Sequence, residues 1–431
     1  MKDCFLLVFA ALASASFGAA IPKIRANSVS VSGSPDVTVT YELEGDAAIV
    51  TAEAFVGGAP LDPQAFTVMN GDVNRKVETG VRSFVWKAGK ETPPLRVSDF
   101  QVKLRAWPLS NPPDWMVADL QSGDVNYYTT TNAFPLGGLA NDIYRKTKLV
   151  MRHIPAKNVT WTMGTATNEA GAVNIARAMQ HEVTLTKDYW MGIYEVTQMQ
   201  YDQFSGVARH AVWRTAEDAD VRPTENVSFK QLRCSPSDNK WWPQNGHDVA
   251  DGSPIDRLRL RTGIAFDLPT EAQWEFACRA GTRTPYNNGA RLAPGYANLG
   301  DIAFACIDEI AWYKYNSAID GVRQTHPVGL KKPNAWGLYD MHGNVLELCL
   351  DQFNPTAGFE STVYFTSEPT VDPTGPQLAS IHSFSDRGGD YSRSAAMAMS
   401  GDRSNYCGNS WPSSDGTSGP ERGFRLCAPI E

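Results

Sequence analysis

"LPTEAQWEFACRAGT", residues 268 to 282, decides how the second half of the chain is read. Thr270 follows Pro269, and Gln273 stands three residues further on. That spacing is a capping box: the threonine hydroxyl takes one orphan backbone N–H of the first helical turn, and the glutamine side chain takes another. Gly281 marks the stop. Trp274 and Cys278 are four residues apart and share one helix face, so Cys278 is expected to point toward core.

The same grammar recurs upstream. "TQMQYDQFSG" sets Thr197 against Gln200, with Tyr201 and Phe204 as apolar contacts and Gly206 as stop, and "SFKQLRC" sets Ser228 against Gln231. Three short helices among Gly-, Asn- and Trp-rich loops predict a compact α+β domain over residues 149–431 with a mostly irregular surface. Residues 121–148, which begin "QSGDVNYYTTTNAFPLGGLAND", are polar and read as a linker. Residues 21–120 hold β-branched or alternating runs such as "DVTVTYELEG" and "FQVKLRAW", which predict a small all-β, sandwich-like domain with no catalytic constellation.

Lys2, an apolar run and the small residues Gly18, Ala19 and Ala20 have the layout of a signal peptide over residues 1–20, cut near Ala20. A secreted or periplasmic location is therefore expected, with no membrane span in the mature chain, since no later stretch approaches the ~20 apolar residues of a membrane helix. A net charge of −8 argues against nucleic acid as partner. Six cysteines come after Cys4: Cys234, Cys278, Cys306, Cys349, Cys407 and Cys427. In an oxidising compartment that even number predicts disulfides, and the absence of any CxxC spacing weighs against zinc or a redox pair.

"WTMGT" (161–165), "HEVTLTKDYWMGIYEVTQMQYDQF" (181–204), the 268–282 stretch, "HPVGLKKPNAWGLYDMHGNVLEL" (326–348), "RGG" (387–389) and "GFRL" (423–426) come in order. Together they resemble the sulfatase-modifying factor family, the formylglycine-generating enzymes, over residues about 145 to 431. The resemblance implies a C-type-lectin-like fold. It also implies an activity, oxidation of a sulfatase cysteine with copper held by two cysteines five residues apart, shortly after the Gly-Gly turn. Carried onto this chain those positions are Arg393 and Ala398, neither of which can ligate copper, and Arg393 brings a fixed positive charge. Asp390 stands where the family has a serine, Leu346 where it has an aromatic residue, and Glu421 where it has an asparagine.

The resemblance also implies two calcium sites. One maps to Asp340, Gly343, Val345 and Glu347, a set of carboxylates and loop carbonyls of the kind Ca²⁺ favours, although both acids could instead cap turns and pair with bases. The other maps to Asn298, Leu299, Asp320 and Val322. A Cys234–Cys427 bridge and a paired Cys278 are implied by the same resemblance. Asp390, Arg393, Glu421 and Asp402 are expected either to line the former cleft or to form a salt-bridge cluster. Trp241, Trp242 and Trp411 could stack on sugar rings or cover loops. The expected function is a non-catalytic binding or scaffold protein without copper, its ligand unknown: a peptide, a sugar or a sulfatase. The alternative is a formylglycine-generating oxidase with an atypical site using Cys407.

Overall fold

The structure, a computed structural model, describes residues 20–91, 99–166, 168–169, 178–207, 211–234, 248–292, 305–352, 369–375, 384–403 and 419–430. Residues 1–19, which hold most of the expected signal peptide, and Trp241, Trp242, Asn298, Leu299, Cys407 and Trp411 lie outside the described residues. Two compact units form, one of Met1–Leu61 with Val68–Leu109, the other of Asp62–Thr67 with Ser110–Glu431.

The first unit is all β. Strand β3 (Asp36–Glu44) pairs with β1 (Lys23–Ile24), β2 (Ser30–Ser32) and β8 (Gly80–Lys87), and β6 (Met69–Gly71) lies on the far side of β8. A second sheet is built on β4 (Ala48–Val56), which pairs with β5 (Ala59–Pro60), β7 (Arg75–Val77) and β9 (Phe100–Pro108). The period-2 reading of "DVTVTYELE" holds: Val37, Val39, Tyr41 and Leu43 are all buried. Trp86 of β8 stacks on Phe100 of β9 with ring centroids 4.9 Å apart, joining the inner faces of the two sheets.

The second unit centres on an antiparallel sheet ordered β11 (Val125–Tyr128), β10 (Trp115–Asp119), β12 (Lys148–Ile154), β15 (Tyr189–Gly192), β24 (Cys427–Pro429). Residues 110–148 are therefore not the end of the β-domain followed by a linker. Trp115–Asp119 pairs along its whole length with Lys148–Ile154, and Phe134 and Tyr144 are fully buried in the main core. Their polar neighbours face outward, which is why the stretch read as a connector.

Helices pack round this sheet: α1 (Ile143–Lys146), α2 (Gln198–Ser205), α3 (Phe229–Arg233), α4 (Pro254–Thr262) and α5 (Glu271–Arg279). All three capping boxes form, at Thr197/Gln200, Ser228/Gln231 and Thr270/Gln273. Trp274 and Cys278 are fully buried on the α5 face that enters the core. Truncating such a tryptophan to alanine costs ~3–5 kcal/mol. A three-stranded sheet, β22 (Phe384–Arg387), β20 (Leu346–Gln352) and β23 (Arg422–Gly423), carries the chain toward the expected site. No helix among the described residues is long and apolar enough to cross a membrane.

Candidate functional site

The Arg-Gly-Gly turn follows β22. Gly388 has φ +93° and Gly389 φ +71°, and a Cβ on Gly389 would sit 2.7 Å from the Met397 carbonyl and 2.9 Å from Ala398 Cα. Only glycine fits there, and the turn lays residues 390–393 against 397–398. Hydrogen bonds then fix the segment. Tyr391 N–H donates to the Asn344 carbonyl (3.0 Å), Ser317 Oγ to the Tyr391 carbonyl (2.6 Å) and Lys314 N–H to the Arg393 carbonyl (2.9 Å).

Asp390 is the charge at the bottom of this turn. Its side chain has no exposed surface, and it accepts from Ser392 N–H (2.7 Å), Ser392 Oγ (2.6 Å) and Arg393 Nε (2.8 Å). Burial raises its pKa above the ordinary carboxylate value, while Ser392 and Arg393 pull it back and Glu421 adds to the rise. Glu421 is half-buried and its charge is felt by both Asp390 and Tyr391. The structure thus brings Asp390, Arg393 and Glu421 together, as an internal charge cluster rather than as the walls of an open cleft. Asp402 is buried, and its carbonyl accepts from Arg387 Nη1 at 3.0 Å.

Ala398 closes the segment's far end. It offers no donor side chain, and its carbonyl accepts from His342 Nδ1 at 2.6 Å. His342 Nε2 accepts from the Asn287 N–H (3.2 Å), so the ring is neutral with its proton on Nδ1, and burial lowers its pKa to about 4. The guanidinium at 393 and the methyl group at 398 offer a soft cation no thiolate at these two positions.

Beneath the turn lies a layer of buried ion pairs. Arg387 bridges Glu275 (2.9 Å) and Glu271 (3.2 Å), Arg279 joins Glu275 (2.7 Å), and Arg403 pairs with Glu271. Burial alone would raise the Glu275 pKa, but Arg279 and Arg387 outweigh it and hold that carboxyl below its ordinary value. These pairs tie α5 to β22 and set the height of the turn.

The expected calcium loop is occupied by other bonds. Glu347 is clasped by Arg425 (Nη2 to Oε1, 2.7 Å) and accepts from Trp274 Nε1 (2.7 Å). One Asp340 oxygen accepts from Gly329 N–H (2.7 Å), and the Val345 N–H donates to Glu195 (3.1 Å). Of the expected side-chain donors only Asp340 Oδ1 is buried without a partner. Ca²⁺ takes six to eight oxygens; of this set Glu347 is paired with Arg425, while Asp340 Oδ1 is left unpartnered among the described residues. Asp320 and Val322 are exposed and belong to a two-residue hairpin, β17 (Ala318–Ile319) to β18 (Val322–Arg323), with Asp320 and Gly321 both at positive φ. That is the backbone an Asp-Gly hairpin turn demands, and it explains Asp320 without a metal.

The cysteines are corrected likewise. Cys278, Cys306, Cys349 and Cys427 are thiols, so the Cys234–Cys427 bridge is not formed. Cys427 sits in the core on β24 with its Sγ 3.8 Å from Gln273 Oε1, and Cys278 Sγ lies 3.5 Å from Ser400 Oγ. Burial pushes the Cys278 thiol up to about 12.

Two carboxylates escaped sequence reading. Glu195 is fully buried, accepts from Asn344 Nδ2 (2.6 Å), and burial with the nearby Asp340 and Glu347 raises its pKa well above normal. Glu225, also fully buried, accepts from two successive backbone N–H groups, of Val212 and Trp213. Glu195 lies within the 181–204 stretch but carries no local signal of its role, and Glu225 stands outside the quoted stretches.

The family described as the sulfatase-modifying factor enzyme 1-like domain matches residues 150–429. A formylglycine-generating enzyme of Streptomyces coelicolor is 36% identical over 149 residues, 34% of this chain and 42% of that one. The inactive C-alpha-formylglycine-generating enzyme 2 of Mus musculus is 38% identical over 90 residues, 20% of this chain and 27% of that one. This chain thus spans less than half the length of these curated relatives. Treponema denticola variable protein 1 covers 66% of this chain and 96% of its own at 24% identity, with a TM-score of 0.46. By the extent of the family match, this chain is a member of the sulfatase-modifying factor family, in which the formylglycine-generating enzymes fall.

Proposed function

We propose that the chain is an exported, non-catalytic member of the family that binds or scaffolds a partner instead of oxidising it. The observation carrying this reading is the Arg393–Asp390 pair. Where the family's first copper thiolate would come stands a guanidinium locked onto a buried carboxylate, and the second position, Ala398, has no ligand atom. A soft cation has no thiolate there and meets a fixed like charge. A relative named as inactive agrees with the loss of chemistry.

The partner is then a peptide, a sugar or a sulfatase, held by loops on a rigid lectin-type base. Export rests on residues 1–20. The competing reading, an oxidase using Cys407, draws on the relatives named formylglycine-generating enzymes. One experiment separates them. The mature protein is incubated with Cu(I), oxygen and a Cys-x-Pro-x-Arg peptide, and the peptide is weighed by mass spectrometry. An unchanged thiol is expected; conversion to the aldehyde overturns the proposal.

A further inference from the structure

The three arginines of α4 meet different fates. Arg259 Nη2 reaches the Asp267 carboxylate at 2.9 Å. Arg257 and Arg261, four residues apart and so on one helix face, form no ion pair among the described residues and bond to backbone carbonyls instead. Arg257 Nε donates to Gly252 O (3.1 Å) and its Nη1 to Ser205 O (3.3 Å). Arg261 Nη1 donates to Gln203 O (2.5 Å) and to Leu120 O. Carbonyls fix where a guanidinium sits without cancelling its charge. Arg257 Nη2, Arg261 Nε and Arg261 Nη2 keep no protein acceptor among the described residues.

Both guanidiniums line one concavity between α2 and α4, of about 470 Å³, together with Asp202, Phe204, Gly206 and Leu260. That volume is in the range of small-molecule sites. Gly206 has φ +68°, and a Cβ on it would lie 1.4 Å from Arg257 Nη1. Only glycine leaves room for the guanidinium, so its seat is built into the close of α2. Phe204 is buried and Leu260 is 78% exposed, which sets an apolar surface beside the charges.

We propose that this concavity binds an organic oxyanion, with a carboxylate or sulfate group on Arg257 and Arg261 and the apolar part of the same molecule on Leu260. A planar guanidinium fork matches the paired oxygens of such a group. The carbonyls that already hold both side chains lower the rotamer entropy that binding must pay. Asp202 opposes the anion, but one carboxylate stands against two guanidiniums. Solvent-exposed charges attract weakly and are screened by salt, so the expected affinity is millimolar and falls as ionic strength rises. The site shares no residue with the Arg393–Asp390 turn, and its test is independent of the copper experiment.

That test is isothermal titration of the whole chain at low ionic strength with hexanoate, with the matched cation hexylamine and with inorganic sulfate. Hexanoate is expected to saturate, hexylamine not to bind, and sulfate to bind more weakly than hexanoate because it has nothing to rest on Leu260. Leu260→Glu alters an exposed position with a good helix former and puts a carboxylate beside the two guanidiniums. It should weaken both anions about tenfold or more. Leu260→Ser should weaken hexanoate and spare sulfate. The proposal is overturned if hexanoate does not saturate, if hexylamine binds as well as hexanoate, if sulfate binds as tightly as hexanoate, or if Leu260→Glu leaves the affinities unchanged.

Discussion

Arg393 Nε lies 2.8 Å from Asp390 Oδ2, and the two residues are only three apart, so the turn that the Gly-Gly pair creates closes on its own ion pair. The carboxylate is wholly buried and the guanidinium is 19% exposed. That asymmetry sets the response to mutation.

Arg393→Ala leaves a buried carboxylate without its cation. A fully buried pair broken in this way loses ~3–5 kcal/mol, and partial exposure of Arg393 reduces the expected loss to about 2–3 kcal/mol. The deficit should shrink toward pH 4, where Asp390 can protonate. Urea unfolding at pH 4 and pH 8 measures both, and an equal loss at the two pH values would show that packing, not charge, is what Arg393 supplies.

Arg425 plays the cation to Glu347, which leads to an expectation about metal. A specifically bound ion present at about a hundred times its Kd adds ~2.7 kcal/mol to stability. Thermal unfolding with excess calcium and with EDTA is expected to give the same Tm. A rise in calcium would mean that Asp340 Oδ1 and the loop carbonyls recruit an ion despite Arg425.

How far the site was legible depends on the range of the forces that build it. Capping boxes act within four residues, so α2, α3 and α5 were readable from Thr197, Ser228 and Thr270. Helix α4 was equally local, with Ser253 as cap, Pro254 first and Gly263 after, but "PIDRLRLRT" is too charged to show an apolar stripe. The Asp320–Gly321 hairpin turn is a short-range signal of the same kind, carried by an Asp-Gly pair. Phe134 and Tyr144 became core only through strands far away in sequence. Glu195 meets residues 149 and 150 positions distant, and nothing local announces that.

Cysteine labelling tests the corrected thiol assignment. Iodoacetamide at pH 8 attacks thiolates, and burial raises the pKa of Cys278, Cys349 and Cys427. Cys306 is exposed. Native labelling followed by mass spectrometry should therefore modify Cys306 and spare those three, while unfolding without reductant should expose all four. If Cys427 stays unlabelled after unfolding until a reductant is added, it is bridged after all.

Asp351 carries the last prediction. Its Oδ2 accepts from the Glu271 N–H at the start of α5 (2.7 Å), yet it is fully buried, and burial followed by the charge of Glu271 raises its pKa to about 7. A raised carboxyl contributes stability that is complete below its unfolded pKa near 4 and is lost as pH climbs through its folded value, at roughly 1.4 kcal/mol per unit of difference. Asp340, raised to about 6, slopes the same way. Asp351→Asn removes the titrating proton but keeps an oxygen to cap Glu271. Its stability between pH 4 and pH 8 should fall less than that of the unmodified chain, so the two curves converge or cross near the alkaline end. Parallel curves across that range would mean that Asp351 stays ionised in the fold, held by Arg387 and Arg403 more strongly than burial opposes it.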